Sequence, residues 1–384
     1  MPSDHPELVR ARALGLPVVR RAEALAAVVE PGLVVGVAGT HGKTTTTVMA
    51  TEALAAAGLD PTGIAGGRVA SWDGNARFGG DSLFVVEADE YDRSFLALSP
   101  QVAVINNVEA DHLECYGSMP ALEDAFRTFA SPARRVVVGG DDATAVRVAR
   151  ATGRPVWTVG TGAGADVLIA VRERSAAGSV ATLRLPNGQA AELRLTVPGL
   201  HNVRNAAASL AVCVELGADL GPALESLARF RGVGRRFELV GEAGGVVVVD
   251  DYAHHEAEIA ATLDGARQAY PGRRLVAVFQ PHLFTRTRDH GAAMGRALAA
   301  ADLAVVTDVY PAREEPIPGV TGRLVLDAVL DAGGSAEWVP QRAGIGAALA
   351  GVVRSGDVVV TMGAGDVTRV GPDLLSRLGN GPRG

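Results

Sequence analysis

The fold is decided by the stretch Leu33-Val34-Val35-Gly36-Val37-Ala38-Gly39-Thr40-His41-Gly42-Lys43-Thr44. Its apolar run predicts a buried strand, its glycines predict a tight loop, and a helical stretch begins at Thr44. Glycines let backbone N–H groups face an anion without a Cβ in the way, and the helix N-terminus adds a positive dipole end. The stretch therefore predicts a phosphate-binding loop. Lys43 would contact the β- and γ-phosphates, and the Thr44 hydroxyl would bind Mg²⁺.

Lys43 is the only lysine among the 36 basic residues of the chain. Since the composition otherwise favours arginine, a retained lysine indicates a chemical need for a compact point charge beside a phosphate. The general motif also has an earlier glycine, but positions 37 and 38 of this chain are Val and Ala, so only the Gly-Lys-Thr half is matched. A strand-to-helix turn that binds no ligand is the competing interpretation.

Composition excludes several classes of protein. A length of 384 residues predicts two or three domains, and a net charge of −7 argues against nucleic-acid binding, which needs a basic surface. Two cysteines cannot form a disulfide framework, which suits a reducing compartment. The N-terminus does not resemble a signal peptide, and no apolar run approaches the ~20 residues of a membrane span. We therefore expect a cytoplasmic protein without membrane insertion.

The order of apolar and amphipathic segments predicts an α/β protein. Strands are predicted at 33–38, 83–86, 102–105, 136–138 and 156–159, with helices at 44–57, 121–130 and 143–151 between them. This alternation is typical of a mostly parallel sheet, and a small hairpin region follows around Pro186-Asn187-Gly188. After the Gly- and Arg-rich residues 231–236 the βα alternation restarts, with strands predicted at 246–249, 275–279, 303–307 and 358–361 and helices at 256–268, 291–300 and 322–330. We predict a central P-loop ATPase-like domain at 31–233 and a Rossmann-like C-terminal domain at 234–384.

Two further polar segments follow predicted strands. The carboxylates of 87–90 come directly after the strand at 83–86, and 106–112 follow the next strand and end in His112. Open α/β sheets bind ligands at the carboxyl edge of their strands. Crowded carboxylates are costly without a cation, so Mg²⁺ is implied. The alternatives are a solvated acidic turn for 87–90 and a hydrogen-bonded loop residue for His112.

Nine motifs occur in order along the chain. They are Gly-Thr-His-Gly-Lys-Thr-Thr-Thr-Thr (39–47), Glu-Ala-Asp-Glu (87–90), Asp-His (111–112), His-Asn-Val-Arg-Asn-Ala (201–206), Arg-Arg-Phe-Glu (235–238), Asp-Asp-Tyr-Ala-His-His (250–255), Phe-Gln-Pro-His (279–282), Thr-Arg-Thr (285–287) and Met-Gly-Ala-Gly-Asp (362–366). Together they resemble the Mur ligases of peptidoglycan synthesis. The resemblance runs from about residue 5 to the end, and the joint match is far more specific than any single motif.

The resemblance implies an ATP-dependent amide-forming ligase. It is closest to the members that join L-alanine to the lactyl carboxylate of UDP-N-acetylmuramate through an acyl phosphate. The residues matching the family's ATP-binding positions are Gly39, Thr40, His41, Gly42, Lys43, Thr44, Thr45, His201, Asn202, Asn205, Arg236 and Asp251. The implied Mg²⁺ ligands are Thr44, Glu87 and His112. Tyr252, His254 and Arg286 match the substrate positions, and Lys43, His254 and Arg286 are the implied catalytic residues. From the residues alone, His254-His255 is equally consistent with a turn.

The sequence departs from the family in its N-terminal domain, which holds the UDP moiety. Residues 5–30 resemble only the last helix and strand of that domain, so we interpret 1–30 as its remnant and expect the domain to be missing or separate. Position 283 is Leu where many members have Arg, and position 256 is Glu where Pro is usual. Two alternatives remain: a ligase that recycles a ready-made tripeptide onto the same sugar, or an ATP-binding fragment that is inactive without the UDP-binding domain.

Overall fold

The computed structural model describes residues 4–111, 113–175 and 178–379. The chain forms two compact units. The first consists of Met1–Ala170, Ala181–Leu193 and Val203–Ala228, and the second of Val171–Val180, Arg194–Asn202 and Arg229–Gly384. Within the described ranges, no helix has both the length and the apolar character that crossing a bilayer requires.

The first sheet has ten strands in the order β10-β9-β8-β7-β6-β5-β1-β4-β2-β3. They are β1 (Leu33–Ala38), β2 (Thr62–Val69), β3 (Gly74–Arg77), β4 (Leu83–Glu87), β5 (Val102–Ile105), β6 (Arg135–Gly139), β7 (Val156–Gly160), β8 (Val167–Ser175), β9 (Gly178–Arg184) and β10 (Ala190–Leu195). The strand β1 lies between β5 and β4 and is parallel to both, while β3 pairs antiparallel with β2. A turn closed by the Leu185 and Gln189 backbones joins β9 to β10. The predicted mostly parallel sheet with a hairpin region is confirmed.

Eight α-helices accompany this sheet in the described chain, together with 3-10 helices at Ala70–Trp72 and Tyr91–Ala97. The α-helices are α1 (Pro6–Ala13), α2 (Arg21–Val29), α3 (Lys43–Ala56), α4 (Leu113–Tyr116), α5 (Met119–Ala130), α6 (Ala143–Ala151), α7 (Leu200–Glu215) and α8 (Leu220–Arg229). Against the sheet lies an apolar core in which the ring of Phe95 stacks on Phe129 at 5.1 Å and meets Phe126 edge-on at 5.2 Å. This packing fixes the strands whose ends form the candidate site.

The expectation of a helix and a strand within residues 5–30 is wrong, because both elements there are helices, α1 and α2. The second begins where the Arg20 backbone N–H donates to the Glu23 carboxylate at 2.8 Å, a helix-capping contact. The alanines that follow favour a helix over a strand, since alanine has the highest helix propensity. The strand implied by the resemblance is therefore replaced by a helix in this chain.

The second sheet has six strands in the order β11-β12-β16-β13-β14-β15. They are β11 (Glu238–Ala243), β12 (Val246–Asp251), β13 (Leu275–Phe279), β14 (Leu303–Val306), β15 (Ala336–Trp338) and β16 (Val358–Met362); the helices are α9 (Glu256–Ala269), α10 (Phe284–Leu298), α11 (Arg323–Asp331), α12 (Arg342–Val352) and α13 (Val370–Gly379). All neighbours pair in parallel except β11 with β12. Two apolar clusters contain alternate residues of the same strands, as both faces of a covered sheet do. The predicted Rossmann-like architecture is confirmed.

Candidate functional site

Three polar segments meet at one edge of the first sheet. Because β1 is parallel to β4 and β5, with Val37 beside Glu87 and Ala38 beside Ile105, the carboxyl ends of the three strands lie together. The loop 39–43, the acidic segment 87–90 and the asparagines 106–107 leave the sheet at this edge. This is the position at which open α/β sheets bind ligands.

The loop backbone is one that only glycine adopts easily. Gly39 has φ +136° and Gly42 has φ +79°. A Cβ on Gly39 would lie 3.0 Å from the backbone N of Asn106, and one on Gly42 would lie 2.7 Å from Oδ1 of Asn205. Both the dihedral angles and the close approach of neighbours therefore require glycine, as a loop that turns its N–H groups toward an anion does.

The asparagines after β5 brace this loop. Asn107 accepts the His41 backbone N–H on Oδ1 at 2.7 Å, and its carbonyl accepts the Thr40 N–H at 3.2 Å. Asn106 donates to the His41 carbonyl at 3.2 Å. Neither asparagine was among the predicted site residues. Their position directly after a strand next to β1 is the feature that could have identified them.

Lys43 is the first residue of α3, and its side chain turns back over the loop. Nζ donates to the carbonyls of Gly39 at 2.7 Å and Thr40 at 3.2 Å, and lies 2.9 Å from Oε1 of Glu90. Burial alone would lower the pKa of Lys43, but the carboxylates of Glu90 and Asp89 outweigh it and raise that pKa. The ammonium is therefore kept charged beside the loop. Glu90 is a further residue that the sequence interpretation did not single out.

The Thr44 hydroxyl and the Glu87 carboxylate fit a Mg²⁺ site. Thr44 Oγ1 lies 3.0 Å from Glu87 Oε1. Adjacent ligands of an octahedral magnesium ion with bonds of 2.0–2.1 Å are about 2.9 Å apart, so the two oxygens could bind one ion without moving. The other Glu87 oxygen accepts the Gly66 N–H, which orients the carboxylate. The third predicted ligand, His112, lies outside the described residues.

Three of the predicted ATP-binding residues, His201, Asn202 and Asn205, lie in the first turns of α7, and Asn205 lies against the loop, beside Gly42. Asn202 is buried and donates its amide to the carbonyl of Pro198 at 2.7 Å, within its own turn. His201 is exposed. Thr45, in the first turn of α3, is buried.

In the second unit, Tyr252 lies under two guanidinium groups. Those of Arg235 and Arg236 are 4.9 Å and 5.1 Å from the centre of its ring, within the range of cation–π attraction. Arg235 also donates to the carbonyl of Gly365 at 3.2 Å. Arg236 is 3.9 Å from Glu258. The predicted residues Arg236 and Tyr252 are therefore neighbours, and Arg235 joins them.

Asp251 is the last residue of β12, and its carboxylate is hydrogen-bonded to the backbone of two neighbouring segments. Its carboxylate accepts the Phe237 N–H at 2.7 Å and the Ala253 N–H at 2.8 Å. Burial raises its pKa to about 6, although Arg236 and these two N–H groups act in the opposite direction. Both carboxylate oxygens are thus used by the backbone of its own unit.

His254 is held by its own helix. Its Nδ1 lies 3.0 Å from the Tyr252 carbonyl and 3.2 Å from the Glu258 carboxylate. Its ring centre is 6.3 Å from that of His282. The backbone N–H of His254 also donates to Glu258 at 2.9 Å. His254 thus lies between β12 and α9, with its imidazole held by Tyr252 and Glu258.

His282 is the second imidazole of this group, and it was not among the predicted site residues. Its ring stacks on Tyr310 with 5.8 Å between centres. Burial, together with the charges of His254 and Arg286, lowers its pKa to about 4. His282 is therefore neutral at physiological pH. The sequence placed it in a motif but gave no sign of its stacking partner.

Arg286 lies in the first turn of α10, which begins seven residues earlier than the predicted start at Gly291. Glu314 anchors this turn by accepting the Thr285 N–H at 3.0 Å. Leu283, just before the helix, has φ +69°, a strained conformation that costs about 1–3 kcal/mol in a non-glycine residue. The chain thus turns sharply at Leu283, just before the helical turn that carries Arg286.

Comparison with known proteins gives family matches in both halves of the chain. The model described as the Mur ligase middle domain matches residues 37–213. The model described as the Mur ligase, glutamate ligase domain matches residues 235–365.

Curated relatives are similar over nearly the whole chain. The UDP-N-acetylmuramate–L-alanine ligase of Kineococcus radiotolerans is 49% identical over 378 residues, which cover 97% of this chain and 80% of the relative. The enzyme of the same name from Streptomyces griseus is 45% identical and covers 99% and 83%. Among solved structures, UDP-N-acetylmuramate-alanine ligase from Thermotoga maritima has a TM-score of 0.83 at 31% identity, over 98% of this chain and 83% of that one.

Proposed function

The chain belongs to the Mur ligase family, and we propose that it joins L-alanine to the lactyl carboxylate of UDP-N-acetylmuramate in an ATP-dependent, amide-forming step of peptidoglycan synthesis. The observation that supports this most directly is the charged group at the carboxyl edge of the first sheet. There Lys43, Thr44 and Glu87 lie together around a loop that only glycines can form.

The first step would activate the carboxylate. A lactyl oxygen attacks the γ-phosphorus of ATP, the bond to the bridging oxygen breaks, and ADP leaves, which gives an acyl phosphate. Lys43 and the N–H groups of the loop and of α3 would neutralise the charge on the transferred group. Magnesium bound by Thr44 and Glu87 would supply further positive charge to the phosphate oxygens.

The second step would form the amide. The alanine nitrogen attacks the carbonyl carbon, the carbon–oxygen bond to phosphate breaks, and the nitrogen loses a proton. We propose that Arg286 binds the alanine carboxylate, because a guanidinium group can donate two parallel hydrogen bonds to a carboxylate. His254 is held by Glu258 and Tyr252, and would orient the reacting group together with the Tyr252 ring.

The test is phosphate release with purified protein, ATP, Mg²⁺ and UDP-N-acetylmuramate, with and without L-alanine. We expect one phosphate per alanine incorporated into the UDP-sugar product, and no release when L-alanine is omitted. Lys43→Ala should abolish release, because the charge of the transferred phosphoryl group loses its main partner.

Two other outcomes would contradict the proposal in different ways. Release that requires a tripeptide instead of L-alanine would identify the recycling ligase. No release with either amine, while ATP and Mg²⁺ still bind in equilibrium dialysis, would identify a nucleotide-binding protein without ligase activity.

A further inference from the structure

Two imidazoles and a carboxylate converge in the second unit, apart from the predicted substrate residues. His255 directly precedes α9, Glu256 is the first residue of that helix, and His290 lies in the second turn of α10. Nε2 of His255 is 3.2 Å from Oε2 of Glu256, and Nδ1 of His290 is 3.4 Å from the same oxygen. The rings of the two histidines have centres 5.0 Å apart.

These separations match the ligand shell of a small divalent cation. In a tetrahedral site with Zn–N and Zn–O bonds of about 2.0–2.1 Å, ligand atoms are about 3.3 Å apart. The two separations that involve Glu256 Oε2 are 3.2 Å and 3.4 Å, and all three ligand atoms lie within 4.8 Å of one another. Two of the three separations therefore already have the values that a tetrahedral site requires.

Burial and donor type favour a transition metal over magnesium. The His255 side chain is only 5% exposed, while those of Glu256 and His290 are each 31% exposed, so the cluster is closed on one side and reaches solvent on the other. Two imidazole nitrogens and one carboxylate oxygen suit zinc and its neighbours, whereas Mg²⁺ prefers oxygen ligands.

We propose that His255, Glu256 and His290 bind a late first-row divalent metal ion such as Zn²⁺, with water in the fourth position. The ion tethers the start of α9 to α10. His290 lies four residues after Arg286 and therefore on the same face of α10, and His255 follows His254 in the chain. Binding of the ion thus fixes the two helix ends on which the predicted substrate residues lie.

A metal-free explanation exists for part of this cluster. A carboxylate in the first turn of a helix is stabilised by the helix dipole, so Glu256 would be favourable there without an ion. That explanation needs neither imidazole. The experiment therefore depends on the histidines, and it measures metal binding directly, independently of ligase activity.

The probe is Zn²⁺ itself, titrated with a competing chromophoric chelator into full-length protein stripped with EDTA, in the presence of excess Mg²⁺. We expect one tightly bound equivalent. His290→Gln and Glu256→Gln should each weaken binding at least about tenfold, as loss of one of three protein ligands requires. The control is His5→Gln, because His5 also lies near a carboxylate, 4.0 Å from Glu7, but has no second imidazole.

Co²⁺ identifies the ligands that bind. We expect the strong visible absorption of a four-coordinate ion without thiolate charge-transfer bands, and the same spectrum in Cys115→Ser. Zn²⁺ should also raise the melting temperature of the wild type but not of His290→Gln. Equal Zn²⁺ affinity in the wild type and in folded His290→Gln, or no binding beyond that of a His290→Gln/Glu256→Gln double variant, would refute the site.

Discussion

Lys43 occupies a place shaped for an ammonium group. Its side chain is 14% exposed, and Nζ lies within 3.2 Å of two loop carbonyls and one carboxylate oxygen. A guanidinium is planar and larger, and it cannot place one charged nitrogen at the centre of these three acceptors. This explains in physical terms why a chain that uses arginine at every other basic position has lysine here.

We therefore expect Lys43→Arg to lower kcat for phosphate release by about 100-fold or more, since misplacing one charged donor at a phosphoryl-transfer centre costs that much. Far-UV circular dichroism should show an unchanged fold. The matched control is the reverse exchange at Arg147, an exposed residue paired with Glu123, where lysine should leave kcat within twofold. Near wild-type activity in Lys43→Arg would remove the basis for assigning Lys43 to the phosphates.

Asp251 predicts a pH dependence of unusual sign. Its pKa rises from 3.8 to about 6 on folding because it is buried, so the folded state holds a proton that the unfolded state releases. The stabilising effect of that proton is fully present below pH 3.8 and is lost as the pH rises through about 6. The loss amounts to about 3 kcal/mol, because each unit of pKa difference between the folded and unfolded states corresponds to about 1.4 kcal/mol.

Asp251→Asn should abolish this dependence, because an amide does not titrate in this range. The measurement is urea unfolding of the second unit from pH 4 to 7, followed by Trp338 fluorescence in a Trp72→Phe/Trp157→Phe background. The free energy of unfolding with Asp251 intact, minus that of the Asp251→Asn variant, should fall with rising pH. Asp302→Asn is the control: burial opposes ionisation of Asp302, but Arg267 and the Leu275 N–H outweigh it and lower the pKa from 3.8. The stabilising effect of Asp302 is therefore lost only at lower pH, and the corresponding difference should be nearly constant from pH 4 to 7. A difference that stays constant from pH 4 to 7 would contradict the assignment for Asp251.

At the scale of elements, the predictions were most accurate where a local sequence pattern is compatible with only one kind of secondary structure. The apolar run of β1, followed by glycines and a helix, gave the loop and its context correctly. The strands β2, β3, β11 and β15, which lie at or next to the edges of their sheets, were not predicted, because strands containing glycine or charged residues lack the apolar run of a buried strand. Contacts between distant segments, such as Glu90 with Lys43 or His282 with Tyr310, depend on strand order, which local patterns do not determine.

The start of α10 shows how glycine misled the prediction. Gly291 was taken as the first residue of the helix, but it lies in the interior, as does Gly295. A Cβ on Gly295 would lie 2.5 Å from both the Ala328 Cβ and the Val325 carbonyl of α11, whereas one on Gly291 would be no closer than 3.4 Å to Leu324. Gly295 is thus required by close helix packing, and Gly291 is not.

This contrast predicts opposite effects of one substitution at two positions a single helical turn apart. Gly295→Ala should destabilise the second unit by about 1–3 kcal/mol, because α10 must move away from α11. Gly291→Ala should stabilise it by up to about 1 kcal/mol, since alanine favours the helix. Urea unfolding followed by Trp338 fluorescence gives both values. Equal effects of the two substitutions would mean that the helices do not pack this closely.

At the scale of the molecule, the cores of the two units are built from separate parts of the chain. The cluster containing Phe95, Phe126 and Phe129 uses residues 29–149, and the two clusters on the second sheet use residues 246–374. A core closed within its own unit can unfold as its own cooperative transition. The phosphate loop belongs to the first unit and Asp251 to the second. A ligand or substitution at one of these sites should therefore shift the unfolding transition of one unit.

We therefore predict two transitions in differential scanning calorimetry. ATP with Mg²⁺ should raise the melting temperature of the first, because a ligand that binds only the folded state stabilises it in proportion to the logarithm of its concentration. Lys43→Ala should remove that shift, and Asp251→Asn should move only the second transition. Fluorescence assigns them, since Trp72 and Trp157 report on the first unit and Trp338 on the second. If ATP binding, Lys43→Ala and Asp251→Asn all shifted one common transition by equal amounts, the two units would unfold together. The inference that each core unfolds separately would then be wrong.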